Sequence, residues 1–168
     1  MALVYLGIGS NLSPEMNIAT GLRRLADDVE LLRISPFYRS PAVGFDGPDF
    51  INLVAEARTS LSVGELSRRL KQIEQEFGRH PDAVKYSSRA LDVDILMVDD
   101  VCGDVDGIEL PRADIWQYAF VLRPLLDLIP DGQCPRHGGR LDGYLGAVAD
   151  QPLTQCPGHW LQDYPAGA

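Results

Sequence analysis

The chain has 168 residues and a mass of 18.5 kDa, with 45% hydrophobic and 23% charged residues, the makeup of one ordinary globular domain and not of a disordered or fibrous chain. Its 15 Lys and Arg against 24 Asp and Glu leave a formal charge of −9, a field that excludes a general polyanion-binding surface, so no nucleic-acid partner is expected. No apolar run approaches the roughly 18 residues of a membrane span, Met1 to Leu6 carry no basic leader, and Cys102, Cys134 and Cys156 are too few for a disulfide scaffold; the expectation is a cytoplasmic protein with reduced thiols, no membrane partner and an oligomeric state the sequence does not specify.

Residues 2–8 form an apolar run that reads as a buried strand, and Gly7, Gly9, Ser10 and Asn11 read as the turn that ends it. Ser13 and Pro14 then supply an N-cap and a first-turn proline, with Ile18, Leu22, Leu25 and Val29 following at helical spacing. Residues 30–38 and 50–59 read as two strands, separated by a loop carrying Pro41, Gly44, Gly47 and Pro48. A second helix opens on a capping box, Ser62 and Glu65, with Leu61 and Leu66 as its hydrophobic staple, continues through Leu70, Ile73 and Phe77, and stops at Gly78. Residues 79–88 are polar, and 91–98 alternate as a strand. The order strand, helix, strand, strand, helix, strand predicts an α+β fold of the ferredoxin-like βαββαβ kind: an antiparallel sheet with both helices on one face and the other face open. Past Asp99 the pattern weakens into an irregular extension with short helical stretches near 115–118 and 141–148.

Asp92 and Asp94 lie two apart on the last strand, so their carboxyl groups leave one face about 6–7 Å apart while Leu91, Val93 and Ile95 take the other. An isolated Asp-x-Asp is more often the wet face of a half-exposed strand. Here the preceding segment brings Arg79, Lys85 and Arg89 alongside, and carboxylates that hold Mg²⁺ beside cations that neutralise phosphate oxygens make a metal–polyphosphate site. The run Gly7-x-Gly9 meets neither the Walker nor the dinucleotide pattern and is read as a structural turn. Cys134 with His137 and Cys156 with His159 resemble two halves of a zinc centre, but their spacing lacks compact ligand knuckles and no bound zinc is expected. Phe45, Phe50, Trp116 and Phe120 are candidate aromatic walls, each by itself more ordinarily a core residue.

Taken together, Leu6-Gly7-Ile8-Gly9-Ser10-Asn11-Leu12, the run from Ser35 to Gly44, Pro48-Asp49-Phe50-Ile51-Asn52, Arg89-Ala90-Leu91-Asp92-Val93-Asp94-Ile95-Leu96 and Ala119-Phe120-Val121-Leu122-Arg123-Pro124-Leu125 resemble the 6-hydroxymethyl-7,8-dihydropterin pyrophosphokinase family over roughly residues 3–130. The resemblance implies a single domain over 1–168, with 131–168 an extension of unread role, and Mg²⁺-dependent transfer of pyrophosphate from ATP to a 6-hydroxymethyl pterin, releasing AMP, in folate biosynthesis. It implies that Asp92 and Asp94 hold two Mg²⁺ ions and act catalytically with Arg79 and Arg89. Ser40, Pro41, Val43, Phe50, Asn52 and Phe120 would bind the pterin, and Glu74, Lys85 and Arg112 the nucleotide.

The chain departs from the family where Tyr86-Ser87-Ser88-Arg89 replaces Trp-Gly-Pro-Arg, Pro111-Arg112 replaces Pro-His, and Tyr118-Ala119-Phe120 replaces Arg-x-Phe, which alters the nucleotide side. A diverged relative acting on another pterin, and a pterin- or nucleotide-binding module with little catalysis, are the alternatives. A polymerase-type palm shares the strand order, but draws its metal aspartates from other strands. The loops at 42–48 and 80–88 are expected to close when both ligands bind.

Overall fold

The structure, a computed structural model, describes residues 1–78 and 88–157. Strand β1 (Ala2–Ser10) lies at the centre of an antiparallel sheet, between β4 (Phe50–Thr59) and β5 (Asp92–Val98), and the other long edge of β4 carries β2 (Glu30–Ile34) and β3 (Phe37–Ser40). The expected strand over 30–38 is thus two short strands on one partner. Pro36 has no N–H for the ladder, and the Ser35 hydroxyl takes up the interrupted pairing by accepting from Val54 N at 2.9 Å. The turn expected at 7–11 begins later, because β1 continues in register through Gly7 and Gly9 to Ser10.

Helix α1 (Pro14–Leu25) buries Ile18, Leu22 and Leu25. Ser13 precedes it but does not cap it: its backbone is left-handed (φ 40°) and its side chain makes no cap hydrogen bond. Helix α2 (Val63–Glu76) starts on Ser62, whose side chain accepts from Glu65 N at 3.2 Å and donates to Glu65 Oε1 at 3.1 Å. It ends at Gly78, whose φ of +99° is a conformation that glycine adopts without penalty. Both helices pack on one face of the sheet, where Leu22, Leu66, Leu70 and Ile73 meet Leu6, Ile8, Leu53, Val93 and Ile95.

The opposite face is not open along its whole length. After the hairpin β6 (Gly103–Val105) and β7 (Ile108–Leu110), the short helix α3 (Asp114–Gln117) leads into α4 (Ala119–Leu128). Helix α4 buries Val121, Leu122, Leu125 and Leu126 against Tyr5, Val54, Leu96 and Met97. Its sequence is mostly apolar, its polar face is only Arg123 and Asp127, and Pro124 falls between them, so it lacks the broad polar stripe and the uninterrupted run by which a surface helix is recognised. A 3₁₀ turn (Leu141–Tyr144), the one-turn helix α5 (Leu145–Val148) and the edge strand β8 (Thr154–Cys156), paired with β3, complete the described chain.

An ion pair and a hydrogen bond tie the layers together. Arg33 grips Glu56 with both nitrogens at 3.0 and 2.8 Å and also donates to Leu128 O at the end of α4, while Tyr5 Oη donates to Glu56 Oε2 at 2.7 Å. The Arg33 guanidinium holds the Glu56 carboxyl below its ordinary range. Tyr38 donates to Asp127 of α4, and burial together with that carboxylate pushes the phenol up to about 12. Among the described residues no helix is long and apolar enough to cross a membrane.

Candidate active site

Helix α4 covers only part of its face of the sheet, and a cleft of about 390 Å³ remains over the neighbouring ends of β1, β4 and β5. Strand register explains what lines it. Gly9 is opposite Asn52 on one side and Asp92 on the other, and Gly7 is opposite Val54 and Asp94. Residues directly across an antiparallel sheet share a face, so one row reads Asn52, Gly9, Asp92 and the next Val54, Gly7, Asp94. Further along the same face of β5, Leu96 lies under α4. The strand therefore changes on one face from apolar under the helix to acidic in the cleft.

The two glycines are part of the floor. A Cβ on Gly9 would stand 3.0 Å from Asn52 Oδ1, and one on Gly7 would stand 3.3 Å from Leu96 Cδ2. Any side chain at position 9 would push against the Asn52 amide. That amide is itself buried, and its Nδ2 donates to Ser40 Oγ at 2.8 Å, which fixes its orientation and leaves Oδ1 over Gly9 as an acceptor. Phe50 and Phe120 both line the cleft. Phe45 meets Phe50 edge to face at 6.5 Å, and Tyr118 stacks on Phe120 at 4.9 Å with the rings inclined by 28°.

The cationic side is built from Arg89 and Arg112. Arg89 is mostly buried, and the Asn11 side chain fixes its backbone: Arg89 N donates to Asn11 Oδ1 at 2.7 Å, and Asn11 N donates to Arg89 O at 3.0 Å. The same Asn11 amide donates to Pro48 O at 3.1 Å and Ser88 Oγ at 3.2 Å, so one side chain joins the end of β1, the 42–48 loop and the approach to β5. Arg112 places Nη2 3.8 Å from Asp94 Oδ1 and Nε 3.1 Å from Asp114 Oδ2. Burial alone would lower the Arg112 pKa, but the carboxylates of Asp94, Asp114 and Asp92 outweigh it and raise it.

Ser40, Pro41, Val43, Phe50, Asn52, Arg89, Asp92, Asp94, Arg112 and Phe120 thus line one cleft. Glu74 does not join them. It is buried on α2 at the opposite face of the sheet, where Oε2 accepts from Val93 N at 2.9 Å, and so it braces β5 from behind the aspartates. Arg79 and Lys85, with most of the 80–88 loop, lie outside the described residues. Asp114 and Gln117 also line the cleft; they sit on a four-residue helix too short to have periodicity, and Asp114 is legible only as an acid two residues from Arg112. Cys134 belongs to the core under α4 and Cys156 packs against the core on the α1 and α2 side, so these two halves of the zinc motif face different layers; His159 lies outside the described residues.

A family model for 7,8-dihydro-6-hydroxymethylpterin-pyrophosphokinase (HPPK) matches residues 5–130. A Pseudomonas aeruginosa protein, named 2-amino-4-hydroxy-6-hydroxymethyldihydropteridine pyrophosphokinase, is 36% identical over 160 residues, covering 92% of this chain and 97% of its own. An Aquifex aeolicus protein of the same name is 35% identical over 133 residues, covering 78% and 82%. A solved HPPK-DHPS structure in complex with substrates superposes with a TM-score of 0.66 at 12% identity over 87% of this chain, and Plasmodium falciparum wild-type HPPK-DHPS with 0.67 at 11% over 87%. This chain spans 43% and 44% of those two structures, and the likeness to them concerns the fold.

Proposed function

This chain belongs to the HPPK family, and from that membership we propose how its cleft carries the family's reaction, transfer of pyrophosphate from ATP to the hydroxymethyl group of 6-hydroxymethyl-7,8-dihydropterin in folate biosynthesis. The observation that carries the assignment of residues is the row Asn52, Gly9, Asp92 across three strands, which sets a hydrogen-bonding amide and a carboxylate on one floor with a side-chain-free gap between them. The flat heterocycle stacks on Phe50 and Phe120. Asn52 Oδ1 accepts from its polar edge, while Ser40 holds the other end of the amide. In that pose the hydroxymethyl arm points along the row toward Asp92 and Asp94.

Two carboxylates on one strand face, beside a space that glycines keep clear, suit Mg²⁺, a hard cation that takes one or two protein carboxylates and completes its shell with phosphate oxygens and water. Asp92 and Asp94 are the residues that would hold it; when bound, it screens the polyphosphate charge and orients the reacting oxygens. The chain's own residues do the rest. Arg89 faces the phosphates from a backbone locked by Asn11, and Arg112 reaches them from beside Asp94. The substrate hydroxyl oxygen attacks the β-phosphorus and loses its proton, the bond from that phosphorus to the α,β-bridging oxygen breaks, and AMP leaves with the bridging oxygen. Arg89 and Arg112 stabilise the charge that spreads over the transferred and departing oxygens. Arg79 and Lys85 are proposed to join the same phosphate side, and the 42–48 and 80–88 loops to exclude water when both ligands are present. A cytoplasmic location agrees with the need for ATP.

Phe45 on Phe50 and Tyr118 on Phe120 give the pocket more aromatic surface than two walls need, and this favours a second reading in which the preferred pterin carries a different substituent. Steady-state comparison of several hydroxymethyl pterins separates the two. Purified protein given Mg²⁺, ATP and 6-hydroxymethyl-7,8-dihydropterin should form AMP only when the pterin is present. ADP in place of AMP, or turnover indifferent to pterin, would rule the proposal out.

A further inference from the structure

The segment after Pro130 lies beyond the part of the chain matched by the family model, yet it touches both walls of the cleft. Helix α3 ends at Gln117 and α4 begins at Ala119, with Tyr118 between them in extended conformation (φ −131°, ψ 126°). Such a junction leaves a carbonyl at the end of one helix and an N–H at the start of the next without partners inside either helix. The side chain of Gln151 meets both. Its Oε1 accepts from Ala119 N at 2.8 Å and its Nε2 donates to Gln117 O at 2.8 Å. Because one group can only donate and the other only accept, the orientation of the amide is determined. The residues flanking this clasp, Gln117, Tyr118 and Phe120, all line the cleft.

Three residues later the same segment becomes β8, which pairs with β3 so that Thr154 stands opposite Arg39 and Cys156 opposite Phe37. Strand β3 ends at Ser40, the residue that holds the Asn52 amide. From Gln151 to Thr154 the chain spans at most about 10 Å. The segment therefore ties the Phe120 wall at one end and the Ser40 and Asn52 wall at the other. A second contact steadies the first: Trp116 of α3 packs on His137 at 5.1 Å and Tyr144 at 5.8 Å, and those two residues are joined by a hydrogen bond.

We infer that Gln151 is a positioning residue for pterin binding, setting the distance and tilt of the Phe120 wall against the β3 wall through its two hydrogen bonds to the α3–α4 junction. This inference rests on the pterin reading of the cleft. Gln151 touches no reacting atom, and its effect passes through the backbone on either side of Tyr118.

The test uses the full chain and two variants. Gln151→Met keeps the length and removes both hydrogen bonds; Gln151→Glu keeps an acceptor for Ala119 N and loses the donor to Gln117 O. Amide hydrogen exchange at Ala119 should quicken at least about tenfold in Gln151→Met, with α1 and α2 unchanged, and stay near the wild-type rate in Gln151→Glu. Calorimetric titration with 6-hydroxymethylpterin, in the presence of a non-hydrolysable ATP analogue, should show affinity about five- to tenfold weaker in Gln151→Met, the scale of one or two lost hydrogen bonds, and less than about threefold weaker in Gln151→Glu. Affinity for the ATP analogue should change less than about twofold. Unchanged exchange at Ala119, or quickened exchange with unchanged pterin affinity, overturns the role of Gln151. Equal weakening of both ligands also overturns it, since that is the mark of general loosening. Wild-type protein that binds no pterin overturns the reading of the cleft, and the positioning role with it.

Discussion

Replacing Asp94 with Asn should separate the chemistry of the cleft from the stability of the fold. In the free protein the carboxylate lies 3.8 Å from Arg112, and the two side chains are 35% and 41% exposed. An ion pair that open to water is worth at most about 1 kcal/mol, so loss of that pair should lower the melting temperature by no more than about 2–4 °C in a chain of this size. Relief of the repulsion between Asp94 and Asp92 acts against even that. On the proposed reading, binding of ATP and pterin would displace water from the same carboxylate and set it against a metal and a polyphosphate whose charge is being redistributed. There a single electrostatic group is worth about 3–4 kcal/mol, which at 1.36 kcal/mol per decade lowers kcat by about 150- to 1,000-fold. AMP release measured across a Mg²⁺ titration at saturating ATP and pterin, with melting curves on the same preparations, reads both quantities. A kcat within about threefold of wild type at saturating Mg²⁺ would refute the assignment. So would a loss of activity matched by a melting point lowered by about 10 °C or more, because unfolding would then account for it.

Phe120→Ala removes one stacking face and should weaken pterin binding by about 1–3 kcal/mol while leaving ATP binding within about twofold; calorimetric titration of each ligand measures the difference, and a larger loss for ATP would mean that the ring serves the nucleotide. Glu56→Gln breaks the bidentate pair with Arg33, which is about one-third exposed, and should cost about 2 kcal/mol at pH 7, or about 4–8 °C in melting temperature. Because Arg33 lowers the Glu56 pKa, this stability is fully present above the ordinary glutamate value and disappears as pH falls through the folded-state value. Melting curves should therefore converge for wild type and variant in acid, and an equal gap at pH 3 and pH 7 would contradict the pairing.

The parts of the fold that were legible in the sequence are those where one residue type answers one local need. Ser62 and Glu65 mark the start of α2 because their hydrogen bonds close within one turn, and Gly78 marks its end because the backbone there is left-handed. The alternation through Asp92, Val93, Asp94 and Ile95 separates cleft from core with no knowledge of the partner strands. Ser13 misleads because its backbone turns left-handed, a choice made by the chain on either side and not by its hydroxyl. Helix α4 is hidden by Pro124 and by a polar face of only Arg123 and Asp127, and its burial depends on a sheet face assembled from distant segments. Glu74 shows the reach of motif matching: the acid is where the pattern puts it, but its carboxylate braces β5 at Val93 on the far face. The clasp of Gln151 on residues 32 and 34 positions earlier in the chain has no local signature at all.

Pyrophosphate transfer requires that the β- and γ-phosphates leave ATP together and arrive together on the pterin. Turnover with ATP labelled in the β-phosphate, run in parallel with ATP labelled in the γ-phosphate, tests it most directly. Equal incorporation of both labels into the pterin product, one of each per AMP released, is the expected result; label from the γ-phosphate alone, or AMP released with neither label on the pterin, would contradict such a transfer.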